Sequence, residues 1–313
     1  MSELTSEPSV RGSQNEQYVI PAGTGATDGY ELEITQRSAG WEHSSLRILN
    51  LPPGGARTVQ TGDEEMFVVP LAGSATVTLA GETHELQGRA SVFEGPTDVS
   101  YLPIRSSVSI ASGRGGRFAL CGARTDTELP FRYGPKAEVP VELRGAGQSS
   151  RQVRNFGAAG VFEAGSAICV EVVTPGGNWS SYPAHKHDET SAHECELEEI
   201  YYFEIAPGPA GQPGLGFHRT SSSPGHEIDI MVEVHDRDTV LIPWGWHGPC
   251  AAAPGHDMYY LNVMAGPGEE RAWKITDHPD QAWVRDTWTD QAAERGLPSE
   301  HRHDPRPTGN GGQ

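Results

Sequence analysis

The chain has 313 residues, 38 of them glycine and 24 proline, with four cysteines, a length for one large domain or two ordinary ones and not for a disulfide-stapled miniature. Acidic residues outnumber basic ones 42 to 23, a formal charge of -19 that repels phosphate backbones and anionic lipid, so neither nucleic acid nor a membrane is an expected partner. Cys121, Cys169, Cys195 and Cys250 show no CxxC spacing; they exclude a zinc ribbon or redox pair and read as core filler in a reducing compartment. Neither a leader-like start nor an apolar run near the roughly 18 residues of a membrane span is seen, which predicts a soluble, cytoplasmic protein.

In chain order, residues 1–17 are polar and aperiodic and predict a disordered end, as do 290–313. Between them, apolar runs at 66–71, 75–79, 168–173, 200–205, 240–242 and 259–264 are separated by Gly and Pro clusters, the pattern of an all-β sandwich or barrel. Only 279–295 carries helical spacing, with Trp283, Val284, Trp288 and Ala292 sharing a face. The sequence also repeats itself. EMFVVPLAG at 65–73 precedes DVSYLP at 98–103, and EIYYFEIAP at 199–207 precedes DTVLIP at 238–243. The offset is of domain size, which predicts two β-barrel repeats, 18–150 and 151–289, with Glu65 aligned on Glu199.

The second repeat carries the chemistry. His185 and His187 on a strand share one face, because side chains alternate with period two, and Lys186 between them points away. Glu199 shares a face with Tyr201 and Phe203, Glu198 with Ile200 and Tyr202. A turn at Pro243-Trp244-Gly245 is placed to deliver His247 from a remote strand. Three imidazoles and a carboxylate suggest a metal, whereas His301 and His303, with the same spacing in a polar tail, read as a solvated pair. His193, His226, His235 and His256 read as surface residues, and His43, His84 and His218 as satisfied groups within strands. Trp179, Tyr182, Trp244 and Trp246 suit packing at a barrel mouth or stacking on a sugar ring. The acidic segments 188–204 and 226–238 flank these residues and predict an acidic mouth.

HxH, a spaced Glu and the PWGWH element at 243–247 resemble the cupin superfamily. More narrowly, the chain resembles the 5-deoxy-glucuronate isomerase family of bacterial myo-inositol catabolism. The segments that carry this are TGDEE at 61–65, GRASVFEG at 88–95, TPGGNWSSYP at 174–183, HKHD at 185–188, LEEIYY at 197–202, YYLNVMAGP at 259–267 and DQAWVRDTW at 280–288. That family is similar to the pectin-pathway ketol-isomerases, bicupins that hold a divalent metal on three His and one Glu. The resemblance implies His185, His187, Glu199 and His247 as ligands. The stretch 188–198 is longer than in many cupins, which leaves Glu198, and behind it Glu194 or Glu196, as alternatives for the carboxylate. The first repeat keeps Glu65 and Pro103 but no HxH, and is expected to be metal-free.

The implied reaction converts 5-deoxy-D-glucuronate to 5-dehydro-2-deoxy-D-gluconate, an aldose-ketose isomerisation without a redox cofactor. Its ion is divalent, zinc or manganese foremost. Tyr201 or a metal-bound water is expected to carry the proton, Arg219 to pair the substrate carboxylate, and Tyr182 to line the substrate. The alternatives are a cupin dioxygenase and a non-enzymatic sugar-acid-binding bicupin. The expected partner is a small sugar acid, with a homo-oligomer left open.

Overall fold

The structure is a computed structural model and describes residues 13–290; His301 and His303 lie outside the described residues. Among those residues the apolar runs form three sheets of nine, seven and six strands.

The first half is organised by Glu64–Leu79, whose start pairs with Val99–Leu102 and Gly116–Arg124 and whose end pairs with Glu82–Arg89 and Ser107–Ser112. Register shifts between Pro70 and Ala72 and between Gly73 and Ala75 let one strand serve both ends, because an extra residue bends a strand and adds twist. Its two faces go to different cores. Met66, Val68, Ala75 and Val77 pack with Leu102, Ile110 and Phe118 inside the first half, whereas Phe67, Val69 and Leu71 join a core shared with the second half.

In the second half the seven-stranded sheet runs in the order Val19–Ile20, Thr239–Ile242, Glu198–Ile205, Met258–Ala265, Ile168–Thr174, Arg151–Gly157, Val141–Arg144. The six-stranded sheet runs His226–His235, Leu215–Ser223, Trp246–Ala252, His185–Lys186, Thr276–Asp277, with Trp179–Ser180 also on Trp246–Ala252. One face of the larger sheet, bearing Glu199, Tyr201 and Phe203, meets His187, His247 and His218 of the smaller. The opposite face turns to the first half, where Glu204 pairs with Arg117 and Glu171 with Arg89. Both faces are covered, so Met258–Ala265 is buried throughout and its sequence shows no polar alternation.

Three sequence expectations change. Val19–Ile20 pairs with Thr239–Ile242 and Val141–Arg144 with Arg151–Gly157, so both strands join the second-half sheet although they fall within 18–150. Residues 13–17 are anchored: Asn15–Tyr18 forms a helical turn, Asn15 Nδ2 donates to the Met231 carbonyl at 2.7 Å, and the Asp229 amide donates to Gln14 Oε1 at 2.8 Å. The C-terminal helix is a 3-10 segment, Ala282–Asp290. Val284 and Trp288 face inward, but Trp283 is 62% exposed, because a residue adjacent to an inward position cannot share its face; Ala292 lies outside the described residues. Cys121, Cys169 and Cys250 are buried free thiols and Cys195 is half-buried. Among the described residues no helix is long and apolar enough to cross a membrane.

Candidate metal centre

His187, Glu199 and His247 converge between the two sheets, their ligand atoms within 4.8 Å of one another and all three residues buried. His187 Nε2 lies 3.0 Å from Glu199 Oε2. His247 Nε2 lies 3.2 Å from the same oxygen but lacks the alignment of a hydrogen bond, so it is a buried nitrogen with no hydrogen-bond partner. The Nδ1 atoms face backbone carbonyls, His187 that of Leu197 at 3.0 Å and His247 that of Gly245 at 3.0 Å. An Nδ1–H given to a carbonyl leaves Nε2 as a lone pair, the arrangement found behind histidines that bind metal. Lone pairs from two imidazoles and a carboxylate aimed at one buried point repel unless a cation lies among them. The donor set therefore fits a divalent ion.

His185 stands beside this group. It pairs in register with His247, and its ring centre is 4.5 Å from that of His247 and 6.3 Å from that of His187. Burial first, then the charges of His247 and His187, push its pKa well below the ordinary value, which favours a neutral ring with one nitrogen lone pair to offer. Burial also disfavours the charge on Glu199, but the His187 and His247 imidazoles beside it outweigh burial and hold the carboxyl far below the usual range.

The motif around these ligands is tied by Asp188. Its Oδ1 accepts from Lys186 Nζ at 2.7 Å, and its Oδ2 accepts from the Gly245 amide at 2.9 Å and from the Ser223 hydroxyl. Burial works against ionisation of Asp188, yet these bonds draw its pKa down to about 2. The HKHD stretch is thus fastened to the turn that presents His247. That turn needs Gly245, at φ 96°, where a Cβ would sit 2.8 Å from the Ser221 carbonyl oxygen. Lys186 does point away, its ammonium between Asp188 and Glu194.

A model of the KduI/IolB family matches residues 18–284. The chain belongs to the KduI/IolB family. It is 38% identical over 272 residues to a 5-deoxy-glucuronate isomerase of Geobacillus kaustophilus, covering 86% of this chain and 95% of that protein. It is 34% identical over 269 residues to the 5-deoxy-glucuronate isomerase of Bacillus subtilis strain 168, covering 84% and 96%. The crystal structure of an IolB-like protein of Salmonella typhimurium superposes with a TM-score of 0.78 at 33% identity, over 86% of this chain and 99% of that one. An oxalate decarboxylase of Bacillus subtilis, at TM-score 0.55 and 13% identity over 82% and 77% of the two chains, shares the fold alone. The mostly β architecture is therefore cupin-like.

Within this KduI/IolB family fold the remaining expected residues sort by face. Tyr201 is buried on the Glu199 face, its ring 6.2 Å from that of His247 and its hydroxyl 3.0 Å from Ser181 Oγ. Ser181 also reaches the Tyr260 hydroxyl at 3.2 Å. Glu198 goes the other way, accepting from the amides of Glu42, His43 and Ser44 at 2.7, 2.9 and 2.8 Å. Glu194 caps Lys186 and Glu196 is exposed. Tyr182 packs with Ala146, Val284 and Trp288.

Arg219 is not brought to the site. Strand alternation buries His218 and Thr220 and turns Arg219 outward, where it pairs with Asp229 at 2.6 Å and donates to the Thr220 and Ile230 carbonyls at 2.7 Å each. Nor do the acidic segments make an acidic mouth. Asp188 and Glu194 hold Lys186, Glu204 holds Arg117, and Asp238 accepts from the Ala22 and His235 amides. Trp244 and Trp246 lie against His226 and His278. His218 and His84 are buried and bonded, to Thr220 and to Ser100 at 2.9 Å each. Ser181, Tyr260 and Asp188 escaped the sequence reading. Their only signal was position, within the SSYP and HKHD segments and on the Tyr201 side of the 259–264 run.

Proposed function

We propose that the protein is a metal-dependent 5-deoxy-glucuronate isomerase of myo-inositol catabolism, acting in the cytoplasm and built as two cupin barrels. In this reading the C-terminal barrel holds a divalent ion on His185, His187, Glu199 and His247. The observation that carries it is the buried His187, Glu199 and His247 convergence, with both Nδ1 atoms set against backbone carbonyls. It is supported by identity above 30% to proteins of that activity over most of the chain. In the first half the Glu65 carboxylate is occupied by the amides of 165–167.

The reaction moves one proton from C2 to C1 of the aldose and one from O2 to O1, with no net oxidation. The bound ion would supply Lewis-acid polarisation of the carbonyl and its neighbouring hydroxyl. Tyr201 is the group of this chain proposed to hold and return the proton: its phenol lies on the ligand face and is oriented by Ser181. Asn262, opposite Tyr201 in register, keeps a buried Nδ2 with no hydrogen-bond partner among the described residues, a donor suited to a substrate oxygen. Tyr182 is proposed to close the outer wall.

Elemental analysis of the purified protein, paired with an isomerase assay on 5-deoxy-glucuronate in wild type and His185→Ala, tests this reading. Bound divalent metal, turnover and loss of both in the variant are expected. Full activity in a metal-stripped sample overturns the metal, and a demand for oxygen overturns the isomerase. Tyr201→Phe with unchanged turnover removes that residue from proton transfer.

A further inference from the structure

With Arg219 paired on the outer face, the carboxylate of the substrate class proposed above needs another cation. The described residues leave few. Arg89 and Arg154 share Glu171, Arg285 holds Asp277 through two nitrogens, and Lys186 is held by Asp188 and Glu194. Arg271 is filled by three backbone carbonyls. Arg151 differs. It is 8% exposed, donates from Nη1 to the Ser149 carbonyl at 3.0 Å, and has no carboxylate at ion-pair distance among the described residues.

Strand register says where it points. Val153 pairs with Val172, Val172 with Tyr260, and Tyr260 with Phe203. Alternation places Arg151, two residues before Val153, on the face that bears Tyr260, Tyr201 and Glu199. From Tyr260 the hydroxyl chain runs through Ser181 to Tyr201. The guanidinium also lies 5.4 Å from the centre of the Trp288 ring, whose other cation, Arg285, is 5.3 Å away.

We infer that Arg151 receives the carboxylate of the sugar-acid substrate, on the interior face of the second half that also bears Tyr260, Tyr201 and Glu199. A guanidinium without a counter-ion is costly to bury, and an anionic ligand removes that penalty. Burial draws the Arg151 pKa down to about 10, as expected for a cation that lacks a carboxylate, yet leaves it charged at neutral pH. A uronic acid carries its carboxylate at the end of the carbon chain remote from the aldehyde. An ion at the aldehyde and a fork-shaped cation at the carboxylate would select acid over neutral sugar.

This inference rests on the isomerase reading, and the test separates the two. The kcat/KM for 5-deoxy-glucuronate is divided by that for the neutral analogue whose carboxylate is replaced by a hydroxymethyl group, in wild type, Arg151→Met and Arg151→Lys. Loss of a charge-assisted hydrogen bond lowers this ratio about 30- to 100-fold in Arg151→Met, mostly through KM for the acid, and less in Arg151→Lys. A ratio unchanged from wild type in both variants overturns the inference, as does an equal loss on acid and neutral substrates. If Arg151→Met fails to fold, the Arg151→Lys ratio alone decides. If wild type turns over neither substrate, the isomerase reading fails, and calorimetric titration with D-glucuronate then judges Arg151. Weaker binding to the variant sustains the carboxylate site, and equal binding overturns it.

Discussion

Glu65 and Glu198 are reciprocal clamps between the two halves of the chain. Glu65 accepts from the amides of Gly165, Ser166 and Ala167 at 2.7, 2.6 and 2.7 Å, and Glu198 accepts from the amides of Glu42, His43 and Ser44. Each carboxylate at the start of a central strand satisfies a run of amides in the opposite half. The structural counterpart of Glu65 is therefore Glu198, and the position that matches Glu199 is Met66, an apolar side chain in the first-half core. The repeat read from the sequence, Glu65 on Glu199, is one residue out of register.

This pairing separates two neighbouring glutamates by outcome. Glu198→Gln loses charge-assisted bonds to three amides and should lower stability by about 2 kcal/mol while metal content holds. Glu199→Gln should keep the fold but lose bound metal and at least about 100-fold in activity, because a charged ligand is replaced by a neutral amide. Thermal unfolding and elemental analysis of the two variants check this; metal lost from Glu198→Gln would exchange their roles.

Asp188 touches no substrate in the proposed site but fastens both ligand loops. Asp188→Asn weakens the grip on Lys186 and should reduce metal affinity about 10- to 100-fold. Activity should return when excess divalent metal is added to the assay. A deficit that excess metal cannot repair would assign Asp188 another part.

Acid stability should report Glu171. Burial alone raises its pKa, but the charge and hydrogen bonds of Arg89, then Arg154 and Tyr259, outweigh burial and hold it below the ordinary value of 4.5. Its folded pKa is the lower one, so its stabilisation is complete above about pH 4.5 and is lost as pH falls through the folded value. Glu171→Gln should remove that part of the acid slope and cost about 3–5 kcal/mol at neutral pH, because two arginines lose their counter-ion. Urea unfolding of both proteins between pH 7 and about 3 measures it.

Gly248 follows a proposed ligand at φ 95°, and a Cβ there would lie 1.8 Å from the Ser181 carbonyl oxygen. Gly248→Ala should displace His247 or Ser181 and reduce kcat at least about 10-fold, since small misplacements of reacting groups are expensive. Gly113→Ala, which meets nothing within 4 Å, is the control in the same assay.

Much of the site was legible from local pattern. The HKHD stretch, the apolar run opened by Glu198 and Glu199, and the PWGWH turn named every residue of the candidate metal group, because alternation along a strand fixes which side chains share a face. Parity separated Glu198 from Glu199 but did not say which face looked inward. That choice depended on where the other half of the chain would sit. Arg219 failed for the same reason: its neighbours His218 and Thr220 took the interior, and a strand offers its two faces to different surroundings.

The apolar runs of the sequence pointed to the β architecture, and the segments that resemble the family pointed to that family and to the candidate His and Glu residues. The tertiary structure decided what spacing cannot encode: which glutamate binds across the halves and which faces the histidines, that Val19–Ile20 and Val141–Arg144 join the second-half sheet, and that the acidic segments are largely neutralised by their own partners. The surplus of negative charge is a property of the whole chain. Its effect at the site is local, because a carboxylate bonded to a cation or to amides a few ångströms away adds little net field beyond them.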